Sequence, residues 1–239
     1  MTARDPRRHL LLTLLRAALA AVDGRACTRA ALTAQAGTLL AGAGEVRVAA
    51  VGKAAAAMAL GAHDALKERI ARTLIITKDG HVDPQARQLP AVEIHESGHP
   101  VPDQRSLDAG ARLLGYLTDA PADTAFVLLI SGGASSLAEV LAPGVTLADL
   151  QQLNRACLAG GVPIGEFNAR RCAISRIKGG RLAGELAGRR AVALLVSDVP
   201  GDDPAVIGSG LAAPAAGGDG LKSFIVASIT EAMRAAMAE

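Results

Sequence analysis

Apolar positions along the chain fall into two patterns that alternate. Short apolar runs at Val46–Val51, Thr73–Thr77 (TLIIT), Ala125–Ile130 (AFVLLI) and Ala191–Val196 (AVALLV) have the length and composition of strands buried on both faces, and Ala91–His95 reads as a further strand. Between them, Arg29–Leu40, an alanine-rich stretch from Ala54, Ser106–Leu117 and Leu147–Leu158 predict helices. Leu10, Leu11, Leu14, Leu15, Ala18 and Leu19 form a similar stripe on an N-terminal amphipathic helix that carries Arg16 and is followed by Asp23. Gly180–Ala187 is expected to open or form a short helix, and Phe224–Ala238 to close the chain as a helix. Strands alternating with helices predict an α/β fold: a doubly wound, mainly parallel, Rossmann-like sheet flanked by helices, with residues 1–239 forming one domain. Ala212–Gly220 (AAPAAGGDG) reads as a flexible, small-residue segment.

In such a sheet ligands sit beyond the carboxyl ends of the strands, so the loops that follow AFVLLI and AVALLV carry the candidate chemistry. Ser131-Gly132-Gly133-Ala134-Ser135-Ser136 offers glycines that let backbone N–H groups approach an anion, and serines that add hydroxyls; a plain strand-to-helix turn has the same composition. Ser175-Arg176-Ile177-Lys178-Gly179-Gly180-Arg181 combines glycines with three cations, suited either to clamping phosphate or to a solvated basic turn. Asn168 and Arg171 lie nearby in sequence. Ser197-Asp198-Val199-Pro200-Gly201-Asp202-Asp203 gathers three carboxylates at a strand end, where Asp198 is best placed to hold Mg²⁺. Gly52-Lys53 could bring an ammonium to a transferred phosphoryl group, although this is not a Walker A loop, since Ala54 stands where Ser or Thr would meet the metal. In Ser97-Gly98-His99-Pro100 the histidine suits either an acid–base or a structural role.

Composition narrows the field further. A formal charge of +2, from 25 basic and 23 acidic residues, supplies no strong field for nucleic acid or an anionic membrane. With no Trp, one Tyr and three Phe there is no base-stacking platform. Cys27, Cys157 and Cys172 are odd in number and widely spaced, which fits neither a disulfide framework nor a zinc cluster and implies a reducing, cytoplasmic compartment.

In this order, GKAAAAMA, SGHPVPDQRS, LLISGGASSL, IGEFNARR, SRIKGGRLA and LVSDVPGDDPAVIGSG resemble the N-terminal domain of the glycerate 2-kinase family, whose complete members add a C-terminal domain called MOFRL. The resemblance implies ATP- and Mg²⁺-dependent phosphorylation of D-glycerate at its 2-hydroxyl, in a cleft between the two domains. It implies catalytic roles for Lys53 and Asp198, with Asp198 at the metal. It also implies phosphate or substrate contacts from Ser131, Gly132, Gly133, Ser135, Arg171, Lys178, Gly179 and Gly180.

The chain departs from the family pattern at Ala134 and Ser136 in the serine–glycine loop, at Cys172 and Ala173 after Arg171, at Leu211, and in a shortened connector over 211–223. No MOFRL-like region is found in the 239 residues, so turnover by this chain alone is expected to be absent or impaired. Two other readings remain open: a hydroxypyruvate reductase, against which stands the lack of a G-x-G-x-x-G after a strand, and a degenerate or engineered ligand-binding domain without turnover. The apolar first helix is a candidate homodimer interface.

Overall fold

The computed structural model describes residues 6–186, 188–214 and 221–239. Helices α1 (Pro6–Ala21) and α2 (Gly24–Leu39) precede strand β1 (Val46–Val51), which leads through α3 (Ala55–Leu66) to β2 (Ile70–Lys78) and then β3 (Val92–Ser97). From there α4 (Gln104–Thr118) returns to β4 (Ala125–Ile130). The one-turn α5 (Ala134–Leu137), α6 (Leu147–Ala159), α7 (Ile164–Ala173) and the one-turn α8 (Arg181–Gly184) lie between β4 and β5 (Ala191–Ser197). Strand β6 (Leu221–Ser228) and α9 (Ile229–Met237) complete the order.

The six strands form one sheet in the order β3-β2-β1-β4-β5-β6, with every strand pair parallel. Winding runs outward from β1 to β3 on one side and from β4 to β6 on the other, so it reverses between β1 and β4. Strands β1 and β4 are buried at every position, as the unbroken apolar run of β4 requires; in β1 the buried Arg47 is paired with Glu45. Alternation along them splits the core: Val46, Val48 and Ala50 join Leu32 and Met58 on one face, while Ala49 and Val51 join Leu113 and Leu117 on the other.

Two helix starts were written plainly in the chain. Asp103 and Ser106 form a reciprocal capping box at α4, and Thr146 and Asp149 do the same at α6. Helix α3 has no cap of its own, because Ala54 stands at its N-cap position; the Ser131 hydroxyl, arriving from the neighbouring strand end, accepts from Ala54 N instead (3.0 Å).

Several expectations need correction. Phe224–Ala238 is not one helix: Leu221–Ser228 is the sheet's outer strand, and Ser228 then caps α9 by accepting from Glu231 N. Helix α7 was not foreseen, and the helix expected over Gly180–Ala187 is the single turn α8, with Ala187 outside the described residues. Helix α1 buries none of its side chains and turns Leu10, Leu11, Leu15 and Leu19 to solvent beside α9. Of the segment expected to be flexible, Ala212 and Ala213 are buried and 215–220 lie outside the described residues.

Candidate active site

Strands β1 and β4 end level, Val51 pairing with Ile130, so their loops leave side by side where the sheet's winding reverses. The two loops are stitched together by Ser131 N donating to Val51 O (3.0 Å) and Lys53 N to Gly132 O (3.0 Å), while Gly52 N donates to Ile76 O of β2 (3.0 Å). A Cβ on Gly52, at φ 134°, would fall 2.2 Å from Ser131 Oγ and 2.6 Å from Ser131 O, so only glycine allows this approach. Ser131 is itself buried, with its hydroxyl oxygen engaged by α3. Its place is a strut beneath Lys53 rather than the cleft wall.

Above that strut lies a cleft of about 400 Å³ lined by Lys53, His99, Gly132, Gly133, Ser135, Arg171 and Asp198, among others. The Asp198 carboxylate, carried past the end of β5, presses on Gly132 so closely that a Cβ there would meet Oδ2 at 2.1 Å. Gly133 lies between the Lys53 stem and the His99 ring, each 3.2 Å from the point a Cβ would occupy. Lys53 and Asp198 are exposed to the cleft. Burial lowers the His99 pKa, and the nearby charges of Lys53, Lys78, Arg171 and His81 lower it further, so the ring is neutral at pH 7.

The opposite wall is helix α7, which presents Phe167, Asn168 and Arg171 to the cleft. Arg171 is only 7% exposed. Its Nη2 donates to Asn154 Oδ1, its guanidinium stacks 3.8 Å from the Phe167 ring centroid, and its buried Nε has no partner. Burial pulls its pKa down to about 10. Among the described residues, none of its hydrogen bonds or ion pairs joins it to a carboxylate. A desolvated cation lining a cleft has the chemistry to receive an anion.

Lys178, Gly179 and Gly180, expected at the phosphate, lie elsewhere. The Lys178 ammonium is fully buried, ion-paired with Glu139 and donating to Ala138 O (3.3 Å). Burial lowers its pKa while Glu139 opposes the shift. Glu139 Oε1 also accepts from Ser175 Oγ (2.5 Å). Gly179 N and Gly180 N donate to Ser209 O (3.0 Å) and Gly210 O (2.9 Å), so their amides are spent on the protein. The loop is a brace for the turn at Gly208–Gly210, because its polar groups find partners inside the fold before any ligand arrives. A side-chain chain runs from that turn to the cleft: Ser209 Oγ donates to Asn168 Oδ1 (2.9 Å) and lies 2.9 Å from Ser135 Oγ.

Sequence reasoning missed Glu139, Asn154, Phe167 and Ser209. Glu139 did leave a signal, as a lone carboxylate within the apolar LAEVLA run. The others left none, since nothing in the local pattern separates a buried Asn or Ser from an exposed one.

Among the described residues no group of three His, Cys, Asp or Glu side chains could hold a metal ion. Asp198 alone does not make a resident metal site. One free carboxylate does fit Mg²⁺ brought in on a nucleotide's phosphates, an ion that keeps most of its other ligands as water and phosphate oxygen.

Residues 10–233 match the family model described as "Domain of unknown function (DUF4147)". The chain belongs to that family, the N-terminal part of the glycerate kinases. A D-glycerate 2-kinase from Thermotoga maritima is 40% identical over 169 residues, covering 71% of this chain and 40% of that protein. A putative hydroxypyruvate reductase from Agrobacterium vitis is 44% identical over 167 residues, 70% of this chain and 42% of that protein. The crystal structure of a glycerate kinase from Thermotoga maritima superposes with a TM-score of 0.83 at 28% identity, covering 96% of this chain and 61% of that one. The chain therefore spans about two fifths of the curated relatives' length by sequence, and this family membership agrees with the six ordered motifs.

Proposed function

We propose that this chain supplies the substrate- and phosphate-binding wall of a D-glycerate 2-kinase that transfers the γ-phosphoryl group of ATP to the 2-hydroxyl. The observation that carries this reading is Arg171: a buried guanidinium with no carboxylate partner among the described residues, facing Lys53 and Asp198 across one cleft at the reversal point of the sheet. Arg171, planar and stacked on Phe167, suits the flat carboxylate of glycerate. Lys53, whose backbone is pinned by Gly132 O, offsets negative charge on the phosphoryl group in flight. The glycine amides of the 131–133 loop face phosphate oxygens. Asp198 holds Mg²⁺ that arrives with the nucleotide, and that ion screens the phosphate charge when bound. His99, neutral in this cationic cleft, is a base for the proton released as the hydroxyl oxygen bonds to phosphorus and the bond to the ADP oxygen breaks. Catalysis is then positioning and electrostatics, with little covalent work for the protein.

The same geometry disfavours a nicotinamide-dependent reductase. Dinucleotide sites place the pyrophosphate on the first strand-to-helix loop, yet here the Gly52, Lys53 and Ala54 amides are already donated to Ile76 O, Gly132 O and Ser131 Oγ. A coupled ADP-release assay with D-glycerate on a full-length family protein carrying this domain should show glycerate-dependent turnover. NADH oxidation with hydroxypyruvate and no ADP release would replace the kinase by the reductase. Calorimetry on the 239-residue chain should show D-glycerate and ATP–Mg²⁺ binding without requiring turnover; binding of neither would count against this site.

A further inference from the structure

We propose that Ser135 is a specificity residue which accepts a hydrogen bond from a substrate hydroxyl, because a relay of fixed direction through Ser209 and Asn168 uses up its own proton. The direction follows from a carbonyl. Val206 O can only accept, so the amide nitrogen of Asn168 faces it (3.3 Å) and Oδ1 faces the other way, towards Ser209. Oδ1 can only accept, so Ser209 Oγ donates to it (2.9 Å). Ser209 has one proton, and its 2.9 Å contact with Ser135 Oγ is a hydrogen bond only if Ser135 donates. Ser135 lines the cleft with only lone pairs left to offer.

The relay is held firmly. Ser209 is fully buried, which leaves no solvent to reverse its polarity. It sits at φ 57° between Gly208 (59°) and Gly210 (71°), a left-handed conformation that a non-glycine residue keeps only where the surroundings over-determine it. Those surroundings are on hand: Gly179 N and Cys172 Sγ both donate to Ser209 O. The brace formed by the Lys178 loop thus fixes the direction of a hydrogen bond in the cleft.

An acceptor at this point selects its ligand. Carboxylate oxygens at neutral pH have no proton to give and phosphate oxygens carry few, and two acceptors at hydrogen-bond distance repel. An ammonium could donate, but Lys53 and Arg171 line the same cleft, and Asp198, the one carboxylate among its described lining residues, is committed to Mg²⁺ in the kinase reading. Of the ligands in the kinase reading, what fits best is a hydroxyl carried on a small anion, as in a hydroxy acid. The relay ends on an amide, which is no base, so it orients a hydroxyl and does not deprotonate it. This deepens the kinase reading above and rests on it.

The test compares D-glycerate with propionate, the same acid without hydroxyls, by ligand-observed NMR titration of the 239-residue chain. Wild type should bind D-glycerate more tightly. Ser135→Ala should cut that preference about fivefold, the worth of one neutral hydrogen bond, with propionate affinity unchanged. Ser209→Ala, which frees Ser135 to turn its proton into the cleft, should cut the preference in the same direction. A Ser135→Ala protein that keeps the full preference, or that weakens towards both acids alike, overturns the assignment while leaving the kinase reading intact. A wild-type chain that binds neither acid sinks both.

Discussion

Gly52-Lys53, after strand β1, and Lys178-Gly179-Gly180, between α7 and α8, are built from the same two residue types, and they do opposite things. The Lys53 side chain is exposed on the cleft wall, while its backbone is tied to Gly132 O. The Lys178 side chain is buried against Glu139, while its loop amides hold Ser209 and Gly210 in place. Composition decides that a loop can meet an anion; the nearest partner decides whether it does. Glu139, 39 residues away in sequence, makes Lys178 structural, and among the described residues no carboxylate pairs with Lys53 in that way.

The sharpest way to break the contrast is at Glu139. Glu139→Leu strands a buried ammonium and should cost about 3–5 kcal/mol in chemical denaturation, whereas pairing it with Lys178→Met should recover most of that loss. A small loss in the single variant would mean the pair is not what holds the brace. On the other loop, Lys53→Met should leave the denaturation midpoint unchanged yet lower kcat by about 10²-fold or more in a full-length protein with turnover. An unaltered kcat removes Lys53 from the chemistry.

Smaller effects sharpen the comparison further. Gly52→Ala forces a methyl against the Ser131 backbone and should destabilise the fold by about 1–3 kcal/mol. Gly132→Ala meets only the tip of the exposed Asp198 side chain, so stability should hold while calorimetry shows weaker ATP–Mg²⁺ binding. The smallest effect is in pH. The folded pKa of His99 lies below its ordinary 6.5, so the unfolded chain binds its proton first as pH falls. Stability present above pH 6.5 should therefore decline below it, towards the lower folded value, and His99→Gln should flatten part of that decline in thermal melts. His63, also lowered by burial, should account for a remainder.

Much of the fold was legible because buried parallel strands advertise themselves. AFVLLI and AVALLV leave no polar face to hide, and Ala125–Ile130 came out residue for residue. Strand β6 was not, since Phe224, Ile225 and Val226 run on into an apolar helix and the border lies only in the Ser228-Ile229-Thr230-Glu231 cap, a signal present but unweighed. Helix α7 was missed because its ten residues turn Phe167, Asn168 and Arg171 towards a cleft and so lack a greasy stripe. Most of the candidate site was named from motifs, yet their convergence was not readable.

By itself the sequence determined the buried central strands, the family, and the loops from which any phosphate chemistry must come, because burial and glycine content are local properties of the chain. Only tertiary structure decided which of those groups face the cleft. It turned Ser131 into a strut and Lys178 into a brace, left Arg171 without a carboxylate, and gave the Ser135 hydroxyl its direction. The physical reason is that hydrogen bonds and ion pairs are settled by whichever partner arrives first in space, and along this chain those partners lie tens of residues apart.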